Sequence, residues 1–392
     1  MPRVIVNAWY SIAGVIAGTS VFPLSAHAHV KWFAPYIVDA PPEPVSTTLR
    51  NPWFWSGIAL VLTFFVLTRL IERTSVGAGV ISLLDRMTNG LYRRQDDFVR
   101  SMIGAFFIAI FAIGGVYLTP DLKTPAEWVS WLQLLIACFV FWRPTMPLAG
   151  GGIIALWLLA LRDYELFHLF DYLALGLGVA GYLILEPLSN EKLRERRLEA
   201  LRWGVAVALM WSSLEKFAYP SWFYPVVLDK PFLTFGLPRD VFIPMAGITE
   251  FTLGFGLLWT PLIRRLSAIA LLVIFTAAVW PFGRTDLIGH GLIMAMLIAV
   301  AVDQRAGLDL HSALKQRLVA IPSGMTIALV VFCSLYWGSH FSFFGGTGGE
   351  QSVQPRTTHT YSPEYPHGPG GPSSSQPHLG HGATVPEEPH SH

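Results

Sequence analysis

Ten apolar runs recur along this chain, at roughly 53–72, 101–119, 129–146, 148–162, 166–186, 201–217, 241–259, 266–282, 286–303 and 321–342. Each is close to the length of about 20 residues that carries a helix across a hydrocarbon core. Inside a bilayer the backbone amides have no water to pair with, so a run of this kind closes its hydrogen bonds within one helix. The pattern predicts an all-α, polytopic membrane protein of about ten transmembrane helices, with the lipid bilayer as its principal partner. Of the 392 residues, 53% are hydrophobic and 14% charged, whereas a soluble domain carries about 25% charged residues. A net charge of +1, with Lys and Arg confined to short clusters between the apolar runs, offers no field for nucleic acid.

Those basic clusters report topology. Arg69, Arg73, Arg86, Arg93, Arg94 and Arg100 flank one connection, and Lys192, Arg194, Arg196 and Arg197 fill another. Arg264, Arg265, Arg305, Lys315 and Arg317 fall in two more. The N-terminus has the parts of an export signal: Arg3, an apolar stretch from Val4 to Leu24, then Ala26 and Ala28 at the −3 and −1 sites. With the N-terminus exported, all the basic clusters face the cytoplasm and both mature termini the periplasm of a bacterial inner membrane. The expected organisation is a signal peptide at 1–28, a periplasmic segment at 29–52, and a first span with a cytoplasmic amphipathic segment at 53–100. Four-helix units follow at 101–186 and 201–303, then a last span at 321–342 and a tail at 343–392. Within 53–100, Val80, Leu83, Leu84, Met87 and Leu91 repeat at helical spacing on one side, which predicts a short helix on the inner membrane surface. Cys138 and Cys333 both fall inside apolar runs and read as small core residues, not as a disulfide or redox pair.

The two four-helix stretches align weakly. With Gln133 set against Glu250, "WRPTMP" falls on "WTPLIR" and "HLFDYLALG" on "DLIGHGLIM", the arrangement of a parallel repeat. From Phe343 onward the chain is Gly, Pro, Ser and His with almost no aliphatic residues, too polar to bury a core. The tail holds His359, His367, His378, His381, His390 and His392, half of the 12 histidines. Such clustering suits weak, multivalent metal capture.

Ionisable groups cost about 2.5–3.5 kcal/mol in the middle of a membrane, so those that persist face a partner or a cavity. Here the topology gathers them at the outer face: His168, Asp171, Glu215, Lys216, Glu250, Arg284, Asp286, His290 and His340. Asp286 and His290 stand four residues apart on one side of a helix, where a carboxylate can orient or share a proton with an imidazole. Glu215, Glu250, His290 and Asp286 are therefore the candidate catalytic groups. Lys216 and Arg284 are the candidate cofactor-binding cations, Arg284 also being placed to neutralise a carboxylate. His29, His168, His290, His340 and Glu250 are the candidate metal ligands. Cleavage after Ala28 would make His29 the first mature residue, pairing its α-amino nitrogen with its own imidazole as a chelate for copper.

The segments "SLEKFAYPSWF", "PMAGITEFTLGFGLLWTPLIRRLSAIALLVIF" and "FGRTDLIGHGLIMA" resemble the DoxX family of four-helix bacterial membrane proteins. The matching positions are Glu215, Lys216, Phe217, Ala246, Gly247, Glu250, Arg264–Arg265 and Gly289–His290, over about 201–303. In the first unit Gln133 stands where the glutamate falls and Tyr172 where the histidine falls, which confines a family site to the second unit. The resemblance implies quinone-linked redox or oxidative-stress chemistry at the periplasmic face. A lesser likeness, resting on His27 to Val30, is to secreted copper-handling proteins with "HAHL"-type termini. Two functions thus stand side by side. One is a redox-support protein with a quinone or a periplasmic redox partner, whose Glu215, Glu250 and His290 accept protons. The other is a metal-handling protein that gathers copper through His29, the membrane-edge His/Glu cluster and the tail.

Overall fold

The structure, a computed structural model, describes residues 40–305 and 318–345. The expected signal peptide, His29 and the tail histidines lie outside the described residues. Among those described, the regular secondary structure is helical, with one isolated bridge between Val116 and Lys123 in a loop. Four helices are long and apolar enough to cross a membrane, Pro52–Glu72, Leu166–Leu185, Pro261–Arg284 and Ala320–Phe344, with shorter apolar helices at Trp128–Val140 and Asp286–Val302.

Local sequence sets where the helices begin. Helix α1 (Val45–Arg50) leads to Asn51, whose side chain accepts a hydrogen bond from Trp53 N at the start of α2 (Pro52–Glu72). Proline at the first helical position suits that start, since its missing N–H has no helical partner there. Thr74 caps α3 (Ser75–Tyr92) by accepting from Gly77 N. A Cβ on Gly77 would lie 2.2 Å from Ile71 O, so only glycine permits so abrupt a turn out of α2.

The next four helices are α4 (Gln95–Ile113), α5 (Trp128–Val140), α6 (Met146–Ala160) and α7 (Leu166–Leu185). Two of them are shorter than the apolar runs implied. Helix α4 stops at Gly114 and Gly115, both at positive φ, and the apolar residues Val116, Tyr117 and Leu118 are buried in a folded loop instead. Helix α5 stops before Arg143–Pro144, where a 3₁₀ turn re-aims the chain into α6.

After the short α8 (Glu191–Glu195) come α9 (Arg197–Ser213), α10 (Glu215–Ala218) and α11 (Pro220–Asp229), which divide the expected 201–217 span and its outer loop. Helix α12 (Arg239–Gly256) precedes α13 (Pro261–Val302), which is interrupted at Gly283 with φ 75°. A straight helix of 42 residues would be roughly 60 Å long. Yet Arg264 Nη2 donates to Asp303 O at 3.0 Å and to Arg305 O at 2.8 Å, so α13 folds back on itself as a hairpin at Gly283. Arg265 adds a bond to Asp303 O at 3.1 Å and pairs with Asp85 of α3 at 2.7 Å. These two arginines, both buried, satisfy carbonyls that the end of a helix leaves without partners. Helix α14 (Ala320–Phe344) packs on α2, α7, α9 and α12.

The stretches 101–186 and 201–303 pack against each other, with α9 lying along α7. At their crossing a Cβ on Gly178 would sit 2.7 Å from Gly204 Cα, and one on Gly204 would sit 2.8 Å from Ala174 O. Close approach through small residues is how helices associate in lipid, where apolar side chains alone give no preference for protein over acyl chain. The basic end of the body is knitted by Arg197, which pairs with Asp96 at 2.7 Å and with Glu186 at 2.7 Å. Asp96 lies ahead of the apolar part of α4; burial works against its carboxylate, but Arg197 offsets this and holds its carboxyl below the usual range. Exposed tryptophans mark both ends, Trp53, Trp128 and Trp280 at one and Trp142 and Trp203 at the other, the distribution expected of rings at membrane–water boundaries. Cys138 is exposed and Cys333 half-buried, both as thiols. Cys138 thus faces outward instead of filling the core, whereas Cys333 packs against the core as expected.

Candidate functional site

The end opposite the basic clusters collects the sequence-predicted groups, but in four separate arrangements. The first is the α13 hairpin. After Gly283 breaks the helix, Asp286 falls in the first turn of the returning arm, where a carboxylate complements unpaired backbone N–H groups. One turn later, His290 Nδ1 lies 2.9 Å from Asp286 Oδ1. The Asp286 side chain is 2% exposed and that of His290 16%. Asp286 Oδ2 is buried and has no hydrogen-bond partner among the described residues. The Phe275 ring from the outgoing arm packs on the imidazole at 4.9 Å. Arg284, expected to neutralise a carboxylate here, is exposed and makes no ion pair among the described residues.

The second arrangement joins α10 to α12. Lys216 Nζ donates to Glu250 Oε2 at 2.6 Å, with the side chains 14% and 22% exposed. Gly247 makes this approach possible, because a Cβ there would lie 2.7 Å from the Phe217 ring and 3.1 Å from Lys216 Cβ. The ammonium also sits 5.1 Å from the centre of the Phe223 ring. The sequence suggests separate roles for Lys216 and Glu250, as a cofactor cation and a proton acceptor; the fold instead makes each the other's counterion.

The third arrangement is aromatic. Phe167 of α7, Trp211 of α9, Tyr219 and α14's Tyr336, His340 and Phe344 meet where these helices end. His340 lies edge-on to Phe167 at 5.3 Å and near Phe344 at 4.9 Å. Trp211 packs on Tyr336 at 4.9 Å and donates to Asp171 Oδ1 at 3.0 Å. Glu215 is buried at the start of α10. Glu43 ties the group together, since its amide bonds Ala218 O at 2.8 Å and its carbonyl accepts from Trp337 Nε1 at 2.9 Å.

His168 stacks on Tyr164 at 5.7 Å and lies 5.9 Å from Tyr172. It belongs to a polar cluster under the 114–127 loop that sequence reasoning missed. Tyr172 donates to Asp121, Tyr117 to Asp163, and Tyr164 to Lys123 O at 3.0 Å. Gln133, fully buried, donates to Val116 O at 2.6 Å and Tyr117 O at 2.8 Å. The position aligned with Glu250 is therefore a loop anchor here. Burial disfavours the Asp163 carboxylate, but the Tyr117 hydroxyl and the Arg162 guanidinium outweigh it and lower its pKa. Burial pushes the Tyr117 phenol up, aided by Asp163, and pushes the Lys123 ammonium down.

No family model matches the chain, and neither the curated proteins nor the solved structures contain a match. Among the described residues no group of three or more His, Cys, Asp or Glu side chains is placed to hold a metal ion. His168, His290, His340 and Glu250 thus do not form a metal-holding group by themselves, and His29 lies outside the described residues. The hairpin pair has the chemistry of an oriented base. A carboxylate that accepts from Nδ1–H fixes the tautomer and leaves Nε2 as the nitrogen that takes up a proton.

Proposed function

We propose that this chain is an inner-membrane protein of about ten spans whose periplasmic end binds a small, proton-exchanging redox ligand of the quinol class, with His290 as proton acceptor and Asp286 as its orienting partner. The observation that carries the reading is the 2.9 Å Asp286–His290 contact at the tip of a hairpin, between a buried carboxylate and a half-buried imidazole. A quinol sheds protons as it loses electrons, so an oriented base at the membrane edge supports its oxidation by a separate electron acceptor. Lys216–Glu250 and the aromatic group around His340 supply polar and apolar contacts on the same end. In this topology the basic clusters are cytoplasmic, and both mature termini lie in the periplasm once the signal is removed after Ala28. Of the positions that resemble the DoxX family, Glu215, Lys216, Glu250 and His290 belong to the end proposed as periplasmic, whereas Arg264–Arg265 lie at the opposite, basic end.

The test is to purify the full chain from membranes and analyse both the organic extract and the metal content. Co-purifying quinone in wild type that is lost in His290→Ala, with the fold retained by thermal melt, supports the reading. Stoichiometric copper without quinone would replace it with the metal-handling function, in which His29 and the tail histidines are the ligands.

A further inference from the structure

Helix α3 carries a surface that the redox reading leaves unused. Near its middle, Asp85 pairs with Arg265 at 2.7 Å, and its backbone carbonyl accepts from Gln304 Nε2 at 2.9 Å. Arg265 opens the outgoing arm of α13 and Gln304 follows the returning arm, so α3 lies across the basic end of the bundle instead of running along it. The face turned away from these contacts is apolar: Val76, Leu83 and Met87 are all exposed and share one side of the helix, with the half-buried Val80 between them. Around that stripe are cations. Arg86 and Arg93, seven residues apart, fall on one flank and Arg94 follows the last turn, all three exposed. The one acidic residue within α3 is Asp85, already paired with Arg265.

An apolar stripe bordered by arginines, on a helix set across the end of a membrane-spanning bundle, has the chemistry of a helix lying in a phospholipid interface. We infer that α3 is seated in the headgroup layer at the basic end of the protein, with Val76, Leu83 and Met87 among the upper acyl carbons and Arg86, Arg93 and Arg94 on the phosphates of anionic phospholipid. Charge complementarity selects the lipid: zwitterionic headgroups offer no net charge to the three arginines, whereas each arginine near an anionic surface strengthens attachment about fivefold. The abrupt turn at Gly77 fixes the helix where it leaves α2, so this contact also fixes the depth of α2 in the bilayer.

The test uses the full chain in Cys138→Ser/Cys333→Ser background, labelled with an environment-sensitive fluorophore at Met87→Cys and, as a reference, at the exposed Glu191→Cys. The protein is placed in nanodiscs of phosphatidylcholine with or without phosphatidylglycerol. We expect the Met87 label to be quenched by nitroxides on the upper acyl chain and shielded from aqueous iodide, the reverse of the Glu191 label. In native mass spectrometry, phosphatidylglycerol should be retained over phosphatidylcholine, and Arg86→Gln/Arg93→Gln/Arg94→Gln should lower that preference on the order of a hundredfold. Iodide quenching of the Met87 label as strong as that of the reference would overturn the proposal. So would equal retention of the two lipids. Shielding from both iodide and the nitroxide lipid would also overturn it, by showing that a protein surface covers the face.

Discussion

The crossing of α7 and α9 yields the sharpest structural prediction. A Cβ on Gly178 would meet Gly204 Cα at 2.7 Å, Ala200 O at 3.0 Å and Gly204 N at 3.2 Å. All three are backbone atoms, so no side chain can rotate away. Carbon atoms prefer about 3.5–4.0 Å, so alanine here forces the helices roughly 1 Å apart along their contact. Overpacking of that kind costs about 1–3 kcal/mol, against which alanine recovers about 0.5–1 kcal/mol of helix propensity relative to glycine. The balance for Gly178→Ala is a loss on the order of 1 kcal/mol. Gly178→Ala/Gly204→Ala, which places two methyl groups in the same gap, should lose about twice that or more. The assay is thermal unfolding of the detergent-solubilised full chain by tryptophan fluorescence at one fixed scan rate, with a fall of several degrees expected for the double variant. Gly79→Ala and Gly291→Ala are the controls, because an added Cβ at either meets nothing within 4 Å, and both should melt at or slightly above wild type. A double variant that melts with the controls would refute the close crossing.

Other substitutions probe the polar groups. Glu250→Gln should cost about 1–3 kcal/mol by leaving the half-buried Lys216 ammonium without its counterion, and Lys216→Met/Glu250→Leu should recover most of it in a double-mutant cycle. Arg264→Ala removes the donor from Arg305 O while Arg265 still serves Asp303 O, and should lower the melting temperature by an amount equivalent to about 1–3 kcal/mol for the one carbonyl left dry. The folded-state pKa of Asp163 is depressed, so its contribution to stability is present above the unfolded value of about 3.9 and is lost as pH falls through the folded value. Wild type should therefore lose melting temperature more steeply below about pH 4 than Asp163→Asn.

Much of the architecture is legible in the sequence because lipid acts as a uniform solvent: a run of apolar residues has little choice but to be a helix. All ten apolar runs lie largely in helices, and the Pro281–Gly283 break is visible as punctuation between two runs. Apolarity does not separate a residue facing lipid from one packed inside a loop, which is why Val116, Tyr117 and Leu118 read as the end of a span while the two positive-φ glycines turn them into the folded loop that Gln133 anchors. The same blindness misplaced Cys138, which is exposed although Ala137 and Val140 beside it are buried.

The candidate site divides along the same line. Asp286 and His290 were legible as a pair because both lie on one helix, where i,i+4 spacing dictates contact. Lys216 and Glu250, 34 positions apart, meet only through the packing of α10 on α12. Charge type alone left them as independent site groups. Arg264 and Arg265 were legible as topology signals, but their structural use, tying both ends of the hairpin together, depends on carbonyls nearly forty residues away.

The most direct test of the central claim is the affinity of the purified full chain for a short-chain quinol, compared among wild type, His290→Gln and Asp286→Asn, with each variant's melt recorded. The account predicts a loss of about tenfold to a hundredfold in both variants, the worth of one charge-assisted hydrogen bond, while the fold persists. Unchanged quinol affinity in two well-folded variants would contradict it.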